Sequence, residues 1–440
     1  MPTDLQSATS QELVDQLRDT RQRELELLAD LSDAQLLGPS MSIIEPPIWE
    51  VGHVGWFQER WILRQLDGVE SLRPDADRLY DSYNIPNAQR WRLTYPSREE
   101  TLAYIGAVLD GCVRRLHGRL PTEEETYFYR LATYHEDMHT ETLTHIRQTL
   151  GYARPALSNA GRVDRPAPPD LGFAPHDVDV PGGTFMLGAT PDTPFVFDNE
   201  KLAHAVTVAP FRISAMPVTM AEFRQFVDAG GYRDRSLWSD EGWEWRTMAK
   251  ADQPVFWRRD SGAWLWRRFD ALVPIEPHHP MVHVSWHEAN AYCAWADRRL
   301  PTEAEWEMAA TAEPSPNGRG VTARKRRYAW GDDPPAPHRA NLDSAALGCI
   351  DARALPAGDS AFGCRQMIGN VWEWTADTFN AYPGFVIDPY AEYSAPSFGQ
   401  QKVLRGGAWT TRSRLIRGTF RNFYTPDRNN IFAGLRTCPK

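Results

Sequence analysis

The amino-acid pattern changes abruptly near residue 152, and this change constrains the fold more than any other feature of the chain. Residues before it carry apolar side chains at helical spacing, whereas residues after it form short β-like segments broken by glycine and proline. A proline-rich stretch without periodicity, residues 153–177, separates the two patterns and is typical of a linker. The sequence therefore predicts two domains, a helical one over residues 1–152 and an α+β one over residues 178–440.

Start and stop signals predict four amphipathic helices in the first domain. Capping boxes of the form Ser/Thr-x-x-Glu begin the first helix at Thr9 and the third at Ser97. The proline pair at 46–47 begins the second, and the fourth spans residues 123–150 and ends at Gly151. We expect a four-helix bundle with a long connection between the second and third helices. The apolar stripe of the third helix is predicted at Leu102, Ile105, Leu109, Val113 and Leu116.

The second domain is predicted to be rich in loops and to contain short strands and few helices. The segments VDVPGGTFMLGAT and HAVTVAPFRISAMPVT have the alternation and turn residues of strands. Two helices are predicted, one over residues 220–229 and one within SWHEANAYCAWADRR.

Charge, hydropathy and cysteine usage exclude several classes of protein. A net charge of −10 argues against a nucleic-acid-binding protein, which normally has a basic face. Apolar runs stay well short of the roughly 20 residues of a membrane span, and the first residues lack the pattern of a signal peptide. Five cysteines without a CxxC pair fit a reducing compartment. We therefore expect a cytoplasmic protein without nucleic-acid or membrane partners.

The segment LATYHEDMHTETL raises the question of a metal site. His135 and His139 lie four residues apart and share one face of the fourth helix. They also form an H-E-x-x-H motif, in which Glu136 would be the general base of a zinc hydrolase. Alternatively, His53 on the apolar second helix completes a three-histidine site in the bundle interior. Three imidazoles suit Zn²⁺ or Fe²⁺, and the spacing does not separate the two metals.

Longer segments identify a family that the whole chain resembles. They are VPGGTFMLG, DNEKLAHAVTVAPFRISAMPVT, HPMVHVSWHEANAYCAWADRRLPTEAEWEMAA, YAWGDD, GNVWEWTAD, VLRGGAW and FRNFYTPDRNNIFAGLR. Together with the three histidines, these segments resemble the ergothioneine-type sulfoxide synthases, and most of all their selenoneine synthase branch. The resemblance implies an N-terminal DinB-like four-helix bundle. A formylglycine-generating-enzyme-like domain, which has a C-type-lectin-like fold, would follow it.

The resemblance also implies a reaction and a metal site. The family uses Fe(II) and O₂ to bond sulfur or selenium to the imidazole C2 of hercynine, the betaine of histidine. His53, His135 and His139 would bind the iron, and Glu141 would orient a ligand imidazole. Tyr390 would donate a proton to reduced oxygen. We expect this site to lie between the two domains.

Residues near the C-terminus are implied to bind hercynine. Asn422 would orient its imidazole, and aromatic side chains would contact its trimethylammonium group, because aromatic faces attract quaternary ammonium. The candidates for the aromatic contacts are Phe423, Tyr424 and Trp372, and Tyr393 lies one short step beyond Tyr390. Each aromatic residue has the alternative role of packing in the core.

Departures from the family pattern bear on the second substrate. Family members that take γ-glutamylcysteine hold its carboxylates with an arginine where this chain has Asn87, and they add an aspartate where it has Tyr424. Arg428 is retained, and Met138 replaces a residue that is often polar. Losing the guanidinium removes a bidentate partner for a carboxylate. A selenosugar is the expected donor, with cysteine or another thiol as the alternative. Tyr83 and Arg90 join these residues as candidate contacts for the sugar.

Other functions remain as alternatives. Formylglycine-generating enzymes carry two copper-binding cysteines shortly after RGGxW, and this chain has none there before Cys438. A zinc hydrolase or thiol transferase built on the bundle is a second possibility. A lectin-like binding module without catalysis is a third.

Overall fold

The computed structural model describes residues 8–160, residue 172 and residues 174–440, and the chain divides into two compact units, Met1–Ser158 and Asn159–Lys440. The predicted linker, residues 153–177, lies partly outside the described residues. In the described parts of both units, no helix has the length and apolarity needed to cross a membrane.

Four long helices dominate the first unit. α8 (Glu123–Leu150) packs against α1 (Ser10–Leu28) and α3 (Pro47–Gln58), and α3 also packs against α7 (Arg98–Leu116). A six-residue π-helical turn, Glu59–Arg64, continues α3 into α4. The helices are α1 (Ser10–Leu28), α2 (Asp33–Leu37), α3 (Pro47–Gln58), α4 (Gln65–Asp67), α5 (Ala76–Tyr80), α6 (Asn87–Arg90), α7 (Arg98–Leu116) and α8 (Glu123–Leu150).

The predicted helix boundaries are confirmed. Thr9 and Ser97 each accept a hydrogen bond from the backbone N–H of the glutamate three residues later, so both capping boxes form. Proline occupies the first turn of α3, where its missing N–H costs nothing. Gly151 ends α8 in the left-handed region with a φ of 67°.

The predicted apolar stripe on α7 is wrong in part. Leu102, Leu109 and Val113 are only half-buried. The buried face instead runs along Tyr104, Val108, Cys112 and Leu116, with Thr101 and Ile105 beside it. Tyr104 is drawn inward because its hydroxyl donates to the buried carboxylate of Glu59 over 2.7 Å. A buried face that includes a hydrogen-bonded tyrosine and a threonine cannot be read from apolar spacing alone.

Helix α3 is buried along its whole length, and two glycines allow this. A Cβ atom on Gly52 would lie 2.1 Å from Cε1 of Tyr80, and one on Gly55 would lie 2.4 Å from Cγ2 of Ile105. Real Cβ atoms do not approach that closely, so glycine is required for α5 and α7 to pack directly on α3. His53 lies between the two glycines.

The second unit is built from small sheets and loops, as predicted. Its largest sheet has the strand order β13-β12-β11-β14, in which β11 pairs antiparallel with β12 and parallel with β14. The predicted strand segments form β1 to β4. The strands are β1 (Asp177–Val180), β2 (Gly183–Leu187), β3 (His204–Val208), β4 (Phe211–Ser214), β5 (Trp257–Asp260), β6 (Ala263–Arg268), β7 (Ala271–Pro274), β8 (Arg298–Arg299), β9 (Ala312–Pro314), β10 (Val321–Lys325), β11 (Trp372–Thr378), β12 (Lys402–Arg405), β13 (Asn422–Tyr424), β14 (Ala433–Leu435) and β15 (Cys438–Pro439).

Both predicted helices of the second unit are confirmed, and two further α-helices were missed. The predicted ones are α9 (Met220–Asp228) and α11 (Trp286–Trp295). The missed ones are α10 (Asp240–Met248) and α12 (Glu303–Thr311). A capping box from Thr302 to Glu305 begins α12, so its start was readable from the sequence.

Buried ion pairs connect α12 to the largest sheet. Arg405 of β12 donates to Glu303 over 2.8 Å and also pairs with Glu307. Arg421, immediately before β13, donates to Glu303 over 2.7 Å. Hydrogen-bonded pairs of this kind satisfy charges that would be costly to bury alone. They fix the position of β13, which carries the predicted hercynine-binding residues.

Candidate metal centre

Three histidines from two helices of the first unit come together. Their ligand nitrogens lie within 4.8 Å of one another, so His53 of α3 meets His135 and His139 of α8. His53 is 1 % exposed and His135 is 2 % exposed. The i, i+4 spacing on α8 places its two rings 4.4 Å apart between centroids. The structure therefore brings together the three residues that the sequence named as ligands.

Hydrogen bonds determine which ring nitrogens can bind a metal. Nδ1 of His53 lies 2.7 Å from the backbone oxygen of Tyr80, and a carbonyl oxygen only accepts. The hydrogen must therefore sit on Nδ1, which leaves Nε2 with the lone pair. Nδ1 of His139 hydrogen-bonds the carboxylate of Glu50 in the same way. An acceptor on the distal nitrogen is the usual arrangement for a metal-bound imidazole.

Aromatic rings enclose the cluster. The ring of Phe57 stacks on His135 with centroids 3.5 Å apart, and the ring of Trp49 stacks on His53 at 4.5 Å. The indole of Trp49 is fixed by a 2.9 Å hydrogen bond to the backbone oxygen of Leu79. These contacts exclude water on one side of the imidazoles and restrict their rotation.

Electrostatics keep two of the imidazoles neutral. Burial lowers the pKa of His53 well below its usual range, and the neighbouring His139 lowers it further. Burial likewise lowers the pKa of His135, with His139 and His53 as lesser causes. Metal ions bind the neutral imidazole, so these two ligands need not lose a proton at neutral pH.

Two glutamates near the cluster differ from the expectations drawn from sequence. The carboxylate that contacts His139 belongs to Glu50, which the sequence did not single out. The orienting role of Glu141 stays a prediction. Glu136 is fully buried, and its Oε1 accepts from Nε of Arg21 over 2.9 Å. A carboxylate committed to a buried ion pair is a poor general base, which argues against a zinc hydrolase.

The donor-site candidates of the first unit have structural partners. The amide of Asn87 donates to the backbone oxygen of Ile44 over 2.8 Å. The guanidinium of Arg90 lies 3.9 Å from the ring centroid of Trp49, and its Nη1 pairs with Glu45 at 2.8 Å. The other two nitrogens of Arg90 donate to backbone oxygens, so all three are in use. In this arrangement Arg90 packs over the ring of Trp49, and its substrate role stays a prediction.

Tyr83 and Met138 complete the donor-site candidates of the first unit. The side chain of Tyr83 is 65 % exposed, and Met138 is half-buried on α8 between the two histidines. Their roles toward a substrate stay predictions.

The second unit groups the remaining candidates around two strands and one turn. The backbone N–H of Tyr393 donates to the oxygen of Tyr390 over 3.3 Å, and the two rings stack at 5.6 Å. The ring of Tyr393 also meets Phe423 of β13 at 5.4 Å. Asn422 lies beside Phe423 and is half-buried. Within this unit, the predicted proton donor and the predicted hercynine-binding strand are thus packed together.

Two aromatic candidates have different environments. Tyr424 is half-buried, and the guanidinium of Arg428 lies 5.0 Å from its ring centroid. Trp372 is 2 % exposed on β11, and its ring packs against Phe420 at 5.6 Å. The structure therefore gives Trp372 a core position, and its contact with the trimethylammonium group stays a prediction.

The donor set fits a divalent transition-metal ion. Two of the three imidazoles, those of His53 and His139, have Nδ1 committed to a protein acceptor, which leaves Nε2 as the available ligand atom. Three imidazole nitrogens suit Fe²⁺ and Zn²⁺ better than Mg²⁺ or Ca²⁺, which prefer oxygen. They also leave coordination positions for other molecules.

Comparison with known proteins gives matches over both units. Residues 166–440 match the family of sulfatase-modifying factor enzyme 1-like domains, and residues 16–143 match the DinB superfamily. Hercynine oxygenase from Mycolicibacterium thermoresistibile is 40% identical over 97% of this chain and 94% of that protein. Hercynine oxygenase from Mycolicibacterium smegmatis is 38% identical over 96% and 97%. A formylglycine-generating enzyme from Streptomyces coelicolor is 33% identical over 59% of this chain and 87% of that enzyme.

Proposed function

The chain belongs to the hercynine oxygenase family, and on that premise we propose that it uses iron(II) and O₂ to bond a chalcogen to the imidazole C2 of hercynine. The observation that carries the proposal is the cluster of His53, His135 and His139 in a chain that matches this family over almost its full length. The resemblance of its motifs to the ergothioneine-type sulfoxide synthases agrees with this family.

The three histidines would hold the iron. Bound iron(II) would supply the activation of O₂. Tyr80 and Glu50 would keep Nε2 of two imidazoles directed toward the metal by accepting from Nδ1. Phe57 would restrict the entry of water beside His135.

Residues of the second unit would bind hercynine and supply a proton. Asn422 would orient the imidazole, and Phe423 and Tyr424 would offer their faces to the trimethylammonium group. The hydroxyl of Tyr390 would give its proton to the reduced oxygen while the new bond forms. The packing of Tyr393 between Tyr390 and Phe423 supports a common site for these roles.

The chalcogen donor is proposed to be a selenosugar, which would make the reaction a step of selenoneine biosynthesis. A dianionic donor needs paired guanidinium groups. At the position of the family's arginine, Asn87 is committed to a backbone oxygen, and Tyr424 replaces the aspartate. Cysteine or another thiol is the alternative donor, which would give an ergothioneine-type product.

Two measurements test this proposal. Protein purified anaerobically with iron(II) is expected to hold about one iron per three-histidine site. It is then incubated aerobically with hercynine and, in parallel, with the selenosugar, cysteine or γ-glutamylcysteine, and the products are identified by mass spectrometry. Turnover with γ-glutamylcysteine but not with the selenosugar overturns the donor assignment. Tight zinc that supports hydrolysis, with no change in hercynine, overturns the reaction itself.

A further inference from the structure

The segment that carries Tyr390 is held at its first end by an ion pair. Nζ of Lys201 lies 2.8 Å from Oδ1 of Asp388 and 2.7 Å from its Oδ2, so one ammonium group donates hydrogen bonds to both carboxylate oxygens. Both side chains are partly shielded from solvent, at 32 % and 18 % exposure. Asp388 lies two residues before Tyr390, and this contact fixes where the turn begins.

The other end of the segment is held by residues next to that lysine. The hydroxyl of Ser394 donates to Oδ1 of Asp198, and the amide of Asn199 donates to the same hydroxyl over 3.0 Å. The second carboxylate oxygen of Asp198 accepts from the backbone N–H of Asp388 over 3.5 Å. Asp198 is 2 % exposed, so a single buried carboxylate contacts both ends of the turn.

The stretch 198–201 is itself anchored in the core. Glu200 is fully buried, pairs with Arg417 at 2.8 Å and accepts from the hydroxyl of Thr419 over 2.9 Å. Its backbone oxygen accepts from the N–H of Ala189 over 2.8 Å. The stretch 198–201 is therefore held in place by the core and can restrain the turn that contacts it.

Ring contacts align the same turn with β13. Phe197, which precedes the stretch, packs on Tyr393 with centroids 4.6 Å apart. Tyr393 in turn stacks on Tyr390 and meets Phe423. The turn thus has polar restraints at both ends and aromatic contacts through Tyr393, next to its second end.

We propose that Asp198, together with Lys201, is a positioning residue that holds the Tyr390 turn in register with the hercynine-binding strand. The proposal rests on the proposed function for its chemical consequence, because a proton donor misplaced by about 1 Å loses much of its effect. Loss of Asp198 removes the contact with Ser394 and the backbone contact with Asp388, whereas loss of Lys201 removes only the ion pair at the first end. Both substitutions are therefore expected to loosen the turn, and the effect is expected to be larger for Asp198 than for Lys201.

The restraint is tested on the resting protein without turnover. Hydrogen–deuterium exchange is followed in peptides covering residues 388–394 for D198A, K201M, D198N and the control D179A. The control removes a carboxylate on β1 whose side chain is 91 % exposed. Exchange is expected to become about tenfold faster in D198A and less so in K201M and in D198N, which keeps one of the two accepting oxygens, with D179A close to the parent protein. Unchanged exchange in both D198A and K201M overturns the proposal.

The chemical consequence is tested by how each variant divides its products. The measured quantity is the ratio of carbon–chalcogen product to chalcogen oxidised alone, with Y390F as the reference. D198A and K201M are expected to shift the ratio toward chalcogen oxidation, by about tenfold in D198A, at unchanged iron content and little-changed KM for hercynine. If Y390F shifts the ratio and neither positioning variant does, the positioning role is overturned. If Y390F leaves the ratio unchanged, the role of Tyr390 in the proposed function fails, and the exchange data alone decide the restraint.

Discussion

Glu50 accepts a hydrogen bond from Nδ1 of His139, and its side chain is 1 % exposed. Glu50 lies on α3 less than one turn before His53, so this helix supplies both a ligand and the partner of a ligand on α8. The two helices therefore do more than place three imidazoles together. Glu50 also fixes the tautomer and orientation of His139, as the backbone oxygen of Tyr80 on α5 does for His53.

Replacing Glu50 by glutamine is expected to weaken metal binding by 10- to 100-fold, on the order seen when partners of ligand imidazoles are removed. The amide oxygen still accepts from His139 but no longer carries charge. Affinity is measured by competition with a chelator, with Glu141→Gln as the matched control. Equal affinity of E50Q and the parent protein, or a larger loss in E141Q, would assign the orienting role elsewhere.

Gly52→Ala is expected to disturb the metal site through packing alone. The added methyl group meets the ring of Tyr80, whose backbone oxygen holds Nδ1 of His53. We expect a loss of stability of about 1–3 kcal/mol and weaker iron binding. The control is Gly106→Ala on α7, where a Cβ has no atom within 4 Å.

In that control, alanine is expected to be neutral or to stabilise the helix by about 0.5–1 kcal/mol. Urea unfolding and iron titration of both variants provide the comparison. A G52A protein that binds iron as tightly as G106A would show that the close approach of Tyr80 does not set the site.

Glu136→Ala is expected to cost about 3 kcal/mol of stability, because it leaves the buried guanidinium of Arg21 with one carboxylate fewer. Glu24, at 3.0 Å from Nε of Arg21, remains as a partner and limits the loss. Removing all three charges together in an R21M/E24L/E136L variant is expected to restore most of the stability. Chemical denaturation followed by helical circular dichroism measures these differences. A stable E136A protein that has lost a hydrolytic activity would instead favour a zinc hydrolase.

Glu288 of α11 gives the second unit a predictable dependence on pH. Burial raises the pKa of this carboxyl from 4.5 to about 7, against hydrogen bonds from Tyr232 and Ser285 that lower it. The folded unit therefore keeps a proton that the unfolded chain releases above pH 4.5. The stability that this proton provides is complete below that pH and is lost as pH rises through about 7.

The loss is expected to reach about 3 kcal/mol between those two pH values. Glu288→Gln removes the titrating group, so the fall in stability over this range is expected to be correspondingly smaller in the variant. Urea unfolding of both proteins at pH 5 and pH 8, followed by tryptophan fluorescence, measures the difference. Parallel pH profiles for the two proteins would rule out the assigned shift.

The sequence predicted those features that local rules control. Capping boxes at Thr9 and Ser97 gave the helix starts, and Gly151 gave a helix end. The i, i+4 spacing of His135 and His139 gave a shared helix face. Family resemblance gave the architecture of both units, which the matches to the DinB superfamily and the sulfatase-modifying factor enzyme 1-like domains confirm.

Features that depend on contacts between distant segments were not predicted. Glu50 and Tyr80 acquire their roles only when α5 and α8 pack on α3. A glutamate in the otherwise apolar segment IWEVGHVGWF was a usable signal, since a buried carboxylate needs a partner. The burial of Trp372, at 2 % exposure, likewise depends on the sheet that surrounds it.

Aerobic turnover of hercynine deuterated at C2 tests the central claim most directly. Iron(II)-loaded protein is mixed with the labelled hercynine and the selenosugar, and the product is analysed by mass spectrometry. We expect a product in which selenium is attached to the imidazole and the deuterium is lost, and no such product from the His139→Ala variant. The account would be contradicted if iron-loaded protein left hercynine fully deuterated with the selenosugar, with cysteine and with γ-glutamylcysteine.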